Sequence, residues 1–248
     1  MTQHLKYKFA AIFCGVLLLT ILAVTSSRRV HAAPPAGEGS ITGTVKLNGT
    51  PPHQKPIDMS KEPSCAAIHA SKPVTTENVV VGSGGGLANV VVYISQGWSG
   101  PATAATQPAE INQKGCQYLP HVVAVDAAQH MKVVNSDQTS HNIHPQPTKN
   151  PEWNKSQPPG APPFDVTWAN EEIAIPVKCN IHPWMHGYIA VVKGPYGVSD
   201  ASGSFTIPNI PPGNYTLTAW QETYGTQTQQ ITVAAGKPAT ASFAYTAK

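Results

Sequence analysis

The sequence predicts an all-β protein, and composition and periodicity carry that prediction. Its 248 residues include 20 glycines and 24 prolines, and only 12% of them are charged. This composition is typical of short strands joined by turns and is unfavourable for long helices. After the N-terminus, apolar and polar residues alternate in several segments, and no segment shows a helical period. The length allows one large or two modest β domains.

The strands follow one another along the chain between segments rich in turn residues. Strands are predicted over residues 40–47, 88–95, 118–125, 131–135, 164–168, 171–179, 188–193, 200–207, 211–220, 230–233 and 240–245. Residues 50–77 and 145–163 are polar and contain proline, and we predict that they are irregular. The glycine run 82–86 is predicted to be a flexible hinge, and residues 97–108 a linker.

The first 32 residues have the layout of a secretion signal. Lys6 and Lys8 precede an apolar stretch at 9–25, and Val30-His31-Ala32 offers a small-residue cleavage site. We therefore expect a location in the periplasm or outside the cell. If the segment is not cleaved, it would instead anchor the protein in a membrane, because the stretch is near the lower length limit for spanning.

The charge balance of the mature chain argues against a nucleic-acid partner. Cleavage would remove four of the 16 basic residues and leave 12 against 13 acidic ones. A net charge this close to neutral gives no basic face for phosphate binding.

Three cysteines remain after cleavage, so one of them has no partner within the chain. Cys65 and Cys116 lie in polar, loop-like contexts and are predicted to form a disulfide, as the oxidising compartment allows. Cys179 is then the free thiol, and a bound metal would protect it as a thiolate.

Cys179 ends a strand and begins a dense group of possible metal ligands. In residues 171–179, a period of two places Ile173, Ile175 and Val177 on the same face as Cys179, which predicts an inward thiol. His182 and Met185 follow three and six residues later.

A second imidazole, from His141, ends another predicted strand upstream. One Cys, two His and one Met suit copper, because thiolate and thioether are soft ligands and this set forms the blue-copper centre. Zinc would accept the thiolate and imidazoles but gains little from the thioether. We therefore predict one copper ion, bound by His141, Cys179, His182 and Met185, and no catalytic residues.

The segment Cys-Asn-Ile-His-Pro-Trp-Met-His-Gly, with His-Asn-Ile-His upstream, resembles the cupredoxins of the amicyanin and plastocyanin type. The resemblance covers about residues 110–194 and implies a Greek-key β-sandwich with a type 1 copper site. It assigns the same four ligands and gives the backbone of Asn142 the role of steadying the thiolate. It also implies that His182 carries electrons through an exposed ring edge, and that Pro183 and Trp184 belong to the docking surface around it.

Other histidines compete for these roles. His144 is the main rival of His141, because Asn142-Ile-His144-Pro145 repeats the order found around His182. His121, His130 and His186 are expected at the surface without forming a cluster.

The C-terminal segment, beginning Asp-Ala-Ser-Gly-Ser-Phe-Thr-Ile, resembles the carboxypeptidase regulatory-like (transthyretin-like) β-sandwich. Two further strands typical of that family occur far upstream, at 41–45 and 87–93. Our hypothesis is that residues 38–98 and 196–248 form this second sandwich and that the cupredoxin, residues 108–195, is inserted into it. Two sequential domains, with 38–194 all cupredoxin, are the alternative.

These features together predict a non-enzymatic carrier of single electrons between redox proteins. The resemblance to amicyanin implies a dehydrogenase as electron donor and a c-type cytochrome as acceptor. A protein for copper storage or delivery would use similar ligands. A copper oxidase or reductase would need another metal centre or an open coordination position. A third alternative is a secreted binding module that holds no metal.

Overall fold

The computed structural model describes residues 37–100 and 109–248, and the predicted signal, residues 1–32, lies outside these ranges. The strands are β1 (Gly39–Asn48), β2 (Val91–Gln96), β3 (Ala109–Gln113), β4 (Tyr118–Leu119), β5 (Val122–Asp126), β6 (Met131–Asn135), β7 (His141–Pro145), β8 (Lys155–Gln157), β9 (Phe164–Val166), β10 (Glu172–Lys178), β11 (His186–Val192), β12 (Tyr196–Val198), β13 (Ser204–Ile210), β14 (Gly213–Gln221), β15 (Gly225–Val233) and β16 (Pro238–Thr246). The all-β prediction is therefore confirmed.

Short helical turns interrupt the strands in the described residues. Helix α1 (Pro63–Ile68) lies in the segment predicted to be irregular, and a 3₁₀ turn (Ser83–Gly85) occupies the predicted glycine hinge. None of the helices in the described ranges is long and apolar enough to cross a membrane.

Four sheets form two sandwiches. One sandwich pairs the sheet β13-β1-β16 with the sheet β12-β2-β14-β15, and the other pairs β5-β11-β10-β7-β8 with β4-β3-β6-β9. Each has its own apolar core, the first around Leu87 and Ile207 and the second around Ile111 and Ile189. Burial of these large side chains supplies the main favourable free energy of each sandwich.

Strands from distant parts of the sequence build the first sandwich. β1 is antiparallel to β13 and parallel to β16, and β2 is antiparallel to both β12 and β14. In the described ranges, the two strands before residue 97 thus share their sheets with strands after residue 195.

A third apolar cluster joins the two sandwiches. Val122 and Ala124 of β5 contact this cluster, whereas Val123 and Val125 of the same strand face the core of the second sandwich. All five residues of β5 are buried. A strand covered on both faces reads as a continuous apolar run, which is how this segment appears in the sequence.

The alternation predicted for 171–179 is correct at its end and wrong at its start. Ile175, Val177 and Cys179 belong to the core of the second sandwich, but Ile173 packs against the cluster between the sandwiches. The register of β10 against β11 shifts between residues 172 and 175, and Ala174 has a φ of 67°. Such a bulge reverses the face on which the preceding side chains lie.

The long connection at residues 145–163 is held against the second sandwich by strand pairing and hydrogen bonds. It contains β8, which pairs with β7. The buried carboxylate of Glu172 accepts hydrogen bonds from the backbone amide of Thr148, the amide of Lys149 at 2.9 Å and the side chain of Asn150 at 3.0 Å. Burial acts to raise the pKa of Glu172, but these bonds lower it below its usual value.

We predict that Glu172→Gln lowers the free energy of unfolding by about 1–2 kcal/mol near neutral pH, because hydrogen bonds to a charged group are lost. A carboxylate with a lowered pKa stabilises the fold above the pKa of the unfolded chain and loses this effect as the pH falls through the folded value. The difference between variant and wild type should therefore narrow in acid. Urea unfolding at neutral pH and at about pH 3 measures it. The exposed Glu110→Gln is the matched control, and a pH-independent difference would contradict the prediction.

Candidate metal centre

The loop between β10 and β11 holds three of the predicted ligands in a closed turn. The amide of Cys179 donates to the carbonyl of Met185 at 3.0 Å, and the amide of Met185 donates to the carbonyl of His182 at 2.9 Å. These bonds close the loop on itself between two paired strands. The backbone that carries the three side chains is therefore held by its own hydrogen bonds.

The pairing of β7 with β10 brings His141 to this loop. Lys178 of β10 is opposite His144 of β7, so the first residue of β7 lies near the end of β10. The Nδ1 atom of His141 is 3.0 Å from the Nδ1 of His182, which is 3.6 Å from the Sγ of Cys179. The three possible ligand atoms all lie within 4.8 Å of one another.

The fourth predicted ligand, Met185, is buried. It is 1% exposed and belongs to the same apolar cluster as Cys179. His141 and His182 are also buried. The structure thus brings together His141, Cys179 and His182 and places Met185 in the same buried core as Cys179.

Asp137 orients the first imidazole and was not predicted from the sequence. Its Oδ2 atom is 2.9 Å from the Nε2 of His141, and its carboxylate also accepts bonds from the amides of Gly115 and Cys116. A proton held on Nε2 leaves Nδ1 of His141 to face the cluster, as is usual for metal-binding histidines. A carboxylate four residues before the first histidine is the sequence signal that could have indicated this contact.

Ionisation in the cluster follows from these contacts. Burial acts to lower the pKa of His141, but the bonds to Asp137 and Cys179 raise it above its usual value. Burial likewise acts to raise the pKa of Cys179, but a hydrogen bond with His141 and bonds with the backbone of Asn142 and His182 lower it. These contacts therefore favour the charged form of each group, the thiolate of Cys179 and the imidazolium of His141.

Asn142 lies against the thiol. Its side-chain oxygen is 3.3 Å from the Sγ of Cys179 and accepts the amide of Asn180 at 2.7 Å. The hydroxyl of Tyr118 donates to its backbone carbonyl at 2.5 Å. Both the side chain and the backbone carbonyl of Asn142 are thus held by hydrogen bonds.

His144, the rival of His141, points away from the cluster. Its Nε2 is 2.6 Å from Glu152, its Nδ1 is 3.1 Å from Asn180, and 14% of its side chain is exposed. The geometry favours His141 as the ligand.

His182 is buried, which corrects the expectation of an exposed ring edge. Only 1% of it is accessible, and its Nε2 lies 3.9 Å from the carboxylate of Glu62. The ring of Trp184 lies at 5.2 Å between centroids. Pro183 is exposed, whereas Trp184 is half-buried and donates its Nε1 to the carbonyl of Cys116 at 3.2 Å.

Glu62 belongs to a segment that we call the cover, residues 57–74. The predicted disulfide between Cys65 and Cys116 is present and fastens the cover to the second sandwich. Met59, Val74 and Trp184 pack around it. The bond joins positions 51 residues apart, and the polar, loop-like contexts of the two cysteines were the sequence signal that predicted it.

The expectation about the remaining histidines is also partly wrong. His130 is exposed, but His121 is 4% exposed and His186 is half-buried. These two lie with Glu222 in a second group of possible ligands.

The donor set fits copper. Two imidazole nitrogens face each other beside a thiol of lowered pKa, with a thioether in the same core, and this soft set is the one that copper prefers. Cys116 also lies near Asp137 and His141 but is held in the disulfide, which removes it as a ligand.

A family model identifies part of the chain. Residues 192–246 match the carboxypeptidase regulatory-like domain. The resemblance noted in the C-terminal sequence is confirmed over those residues, which include β13 to β16. No curated protein matches the sequence.

Several solved cupredoxin structures match the fold in part. The copper-containing nitrite reductase of Thermus scotoductus SA-01 is 17% identical, with a TM-score of 0.32, over 38% of this chain and 26% of the reductase. This chain thus spans about a quarter of that enzyme. A purple cupredoxin from Nitrosopumilus maritimus is 19% identical, with a TM-score of 0.29, over 34% of this chain and 99% of its own.

Amicyanin from Paracoccus versutus is 18% identical, with a TM-score of 0.29, over 41% of this chain and 97% of its own. Likenesses at this level carry no argument about the metal or its ligands. The case for the site depends on the side chains described above.

We predict that Asp137→Asn weakens copper binding by about 10–100-fold, the usual effect of removing a partner that orients a ligand histidine. The neutral amide cannot hold the His141 ring as the carboxylate does. Competition titration against a copper chelator measures the affinity. The control is Asp165→Asn, an exposed change on β9. Unchanged affinity in a folded Asp137→Asn protein would show that Asp137 does not orient a ligand.

Proposed function

We propose that this protein is an exported type 1 copper protein that carries single electrons between redox partners and is not an enzyme. The observation that carries the proposal is the buried cluster of His141, Cys179 and His182, with Met185 in the same core. Copper bound there would supply a one-electron couple. The residues of the chain would hold the ion and exclude water.

A rigid environment supports electron transfer over catalysis. The ligand loop is closed by its own backbone bonds, and Asp137 and Asn142 hold His141 and Cys179 from outside the cluster. Such a framework resists change when the charge of the ion changes. Burial of the cluster also leaves no open approach for a substrate.

The surface beside the ligand loop supports docking of a protein partner. Ile181, next to His182, is 50% exposed, and Pro183 on its other side is also exposed. Exposed apolar residues beside a redox centre allow a partner to approach closely. A dehydrogenase as donor and a c-type cytochrome as acceptor are the partners we propose, with no role for nucleic acid.

The regulatory-like sandwich serves in this proposal as a scaffold into which residues 108–195 are inserted. The pairing of β1 with β13 and β16, and of β2 with β12 and β14, supports the boundaries 38–98 and 196–248.

We also propose a periplasmic or extracellular location, with residues 1–32 as the signal. The disulfide supports an oxidising compartment. Attachment to a membrane would follow only from an uncleaved signal.

Visible absorption and electron paramagnetic resonance of the copper-loaded protein test the proposal. We expect an intense charge-transfer band that is lost in Cys179→Ser and in His141→Ala, because each change removes a ligand of the ion. His144→Ala is the matched control and should keep the band, since that ring faces Glu152 and Asn180.

A colourless wild type that binds copper no better than Cys179→Ser would contradict the proposal. Loss of the band in His144→Ala but not in His141→Ala would contradict the ligand assignment. Rapid loss of copper to a chelator would favour storage or delivery over electron transfer.

A further inference from the structure

A second cluster of ligand-type side chains lies where the two sandwiches meet. His121, His186 and Glu222 each offer one atom, and these atoms all lie within 4.8 Å of one another. None of the three belongs to the copper site proposed above. The cluster contains imidazole and carboxylate groups but no sulfur.

Three separate parts of the chain bring these side chains together. His121 directly precedes β5, His186 begins β11, and Glu222 directly follows β14 of the other sandwich. The amide of Tyr188 donates to the carbonyl of His121 at 2.9 Å. A Cβ atom on Gly187 would lie 2.6 Å from that carbonyl, so glycine is required for this close approach. The positions of both histidines are thus set by the backbone.

Two side chains of the cluster, His121 and Glu222, are buried, and they are incompletely paired. The side chains of His121 and Glu222 are each 3% exposed, and their Nε2 and Oε2 atoms are 2.7 Å apart. The other carboxylate oxygen, Oε1 of Glu222, is buried without a hydrogen-bond partner in the described residues. A buried carboxylate oxygen left unpaired costs free energy that a bound cation would recover.

His186 is oriented for binding. Its Nδ1 atom donates to the backbone carbonyl of Trp184 at 3.0 Å, which leaves Nε2 as the nitrogen with a free lone pair. Histidine ligands of metals are usually held in this way through their second nitrogen. The rings of His121 and His186 meet edge to face at 5.4 Å between centroids.

A second carboxylate, from Glu77, lies beside the cluster. Glu77, His121 and His186 line one small cavity. Burial raises the pKa of Glu77, the charges of His121 and His186 act to lower it, and the charge of Glu222 acts to raise it. If His121 and Glu222 formed only an ion pair with each other, the carboxylates of Glu77 and Glu222 would still repel each other. A divalent cation would balance both.

We propose that His121, His186 and Glu222 form a second metal site, which binds a divalent cation of the zinc class. Two imidazoles and one carboxylate are ligands that zinc accepts, and three protein ligands leave a fourth position. Glu77 or a water molecule would fill that position. This centre differs chemically from the copper cluster, because it lacks thiolate and thioether donors. The two sites are neighbours in the sequence, since His186 directly follows Met185.

Zinc binding to the full chain tests the proposal. The Cys179→Ser protein, which lacks the thiolate of the first cluster, is dialysed against zinc, and bound metal is counted by mass spectrometry. We expect one zinc per chain. Adding Glu222→Gln, or separately His121→Gln, should weaken binding by at least about 100-fold, because each removes a direct ligand. The exposed changes Glu110→Gln and His130→Gln are the matched controls and should have no effect.

Anomalous X-ray diffraction at the zinc edge, from crystals of zinc-loaded Cys179→Ser protein, locates the ion without changing the proposed ligands. A peak between His121, His186 and Glu222 is the expected result. Absence of bound zinc, a peak elsewhere, or zinc retained in both Glu222→Gln and His121→Gln would overturn the proposal. The charge-transfer band of the copper-loaded wild type is measured separately, so failure of one site is distinguishable from failure of the other.

Discussion

The antiparallel contact between β7 and β10 is the constraint on which the proposed copper site depends. It consists of two residue pairs, Val177 with Pro145 and Lys178 with His144. β10 continues into the ligand loop after Lys178, and β7 begins with His141. A shift of one residue would turn His141 to the opposite face of the sheet. The seven residues of the loop can close on themselves, but only this register supplies the second imidazole.

The sheet that carries this register is supported from both sides. β5 and β11 are covered on one face by the core of the second sandwich and on the other by the apolar cluster that contains Trp220 of the first. Strands of the first sandwich thus pack against the outer face of the second sandwich through this cluster. This arrangement also explains why the second cluster draws Glu222 from β14's end and both histidines from the opposite sandwich. Its position follows from the packing of the sheets.

Local patterns in the sequence were sufficient for most strands and for the ligand loop, because both depend on spacing within a few residues. They missed β3, β8 and β12, and they placed His141 at the end of a strand, whereas it begins β7. The prediction for Ile173 was wrong because one bulge at Ala174 breaks the period of two. The burial of His182 and the pairing of His121 with Glu222 could not be predicted for another reason. Each depends on residues about 100 positions or more apart in the sequence, such as Glu62 near His182. No local pattern encodes contacts of that range.

The cover has a consequence for the order in which the protein matures. Glu62 and Trp184 lie beside the buried His182, and the Cys65–Cys116 bond links the cover covalently to the second sandwich. An ion that entered before oxidation would be enclosed when the bond formed. An ion that arrived afterwards would have to wait for the cover to move. If copper binds as proposed, formation of the disulfide would therefore separate an early stage, in which the ion enters easily, from a later stage, in which it is held more tightly.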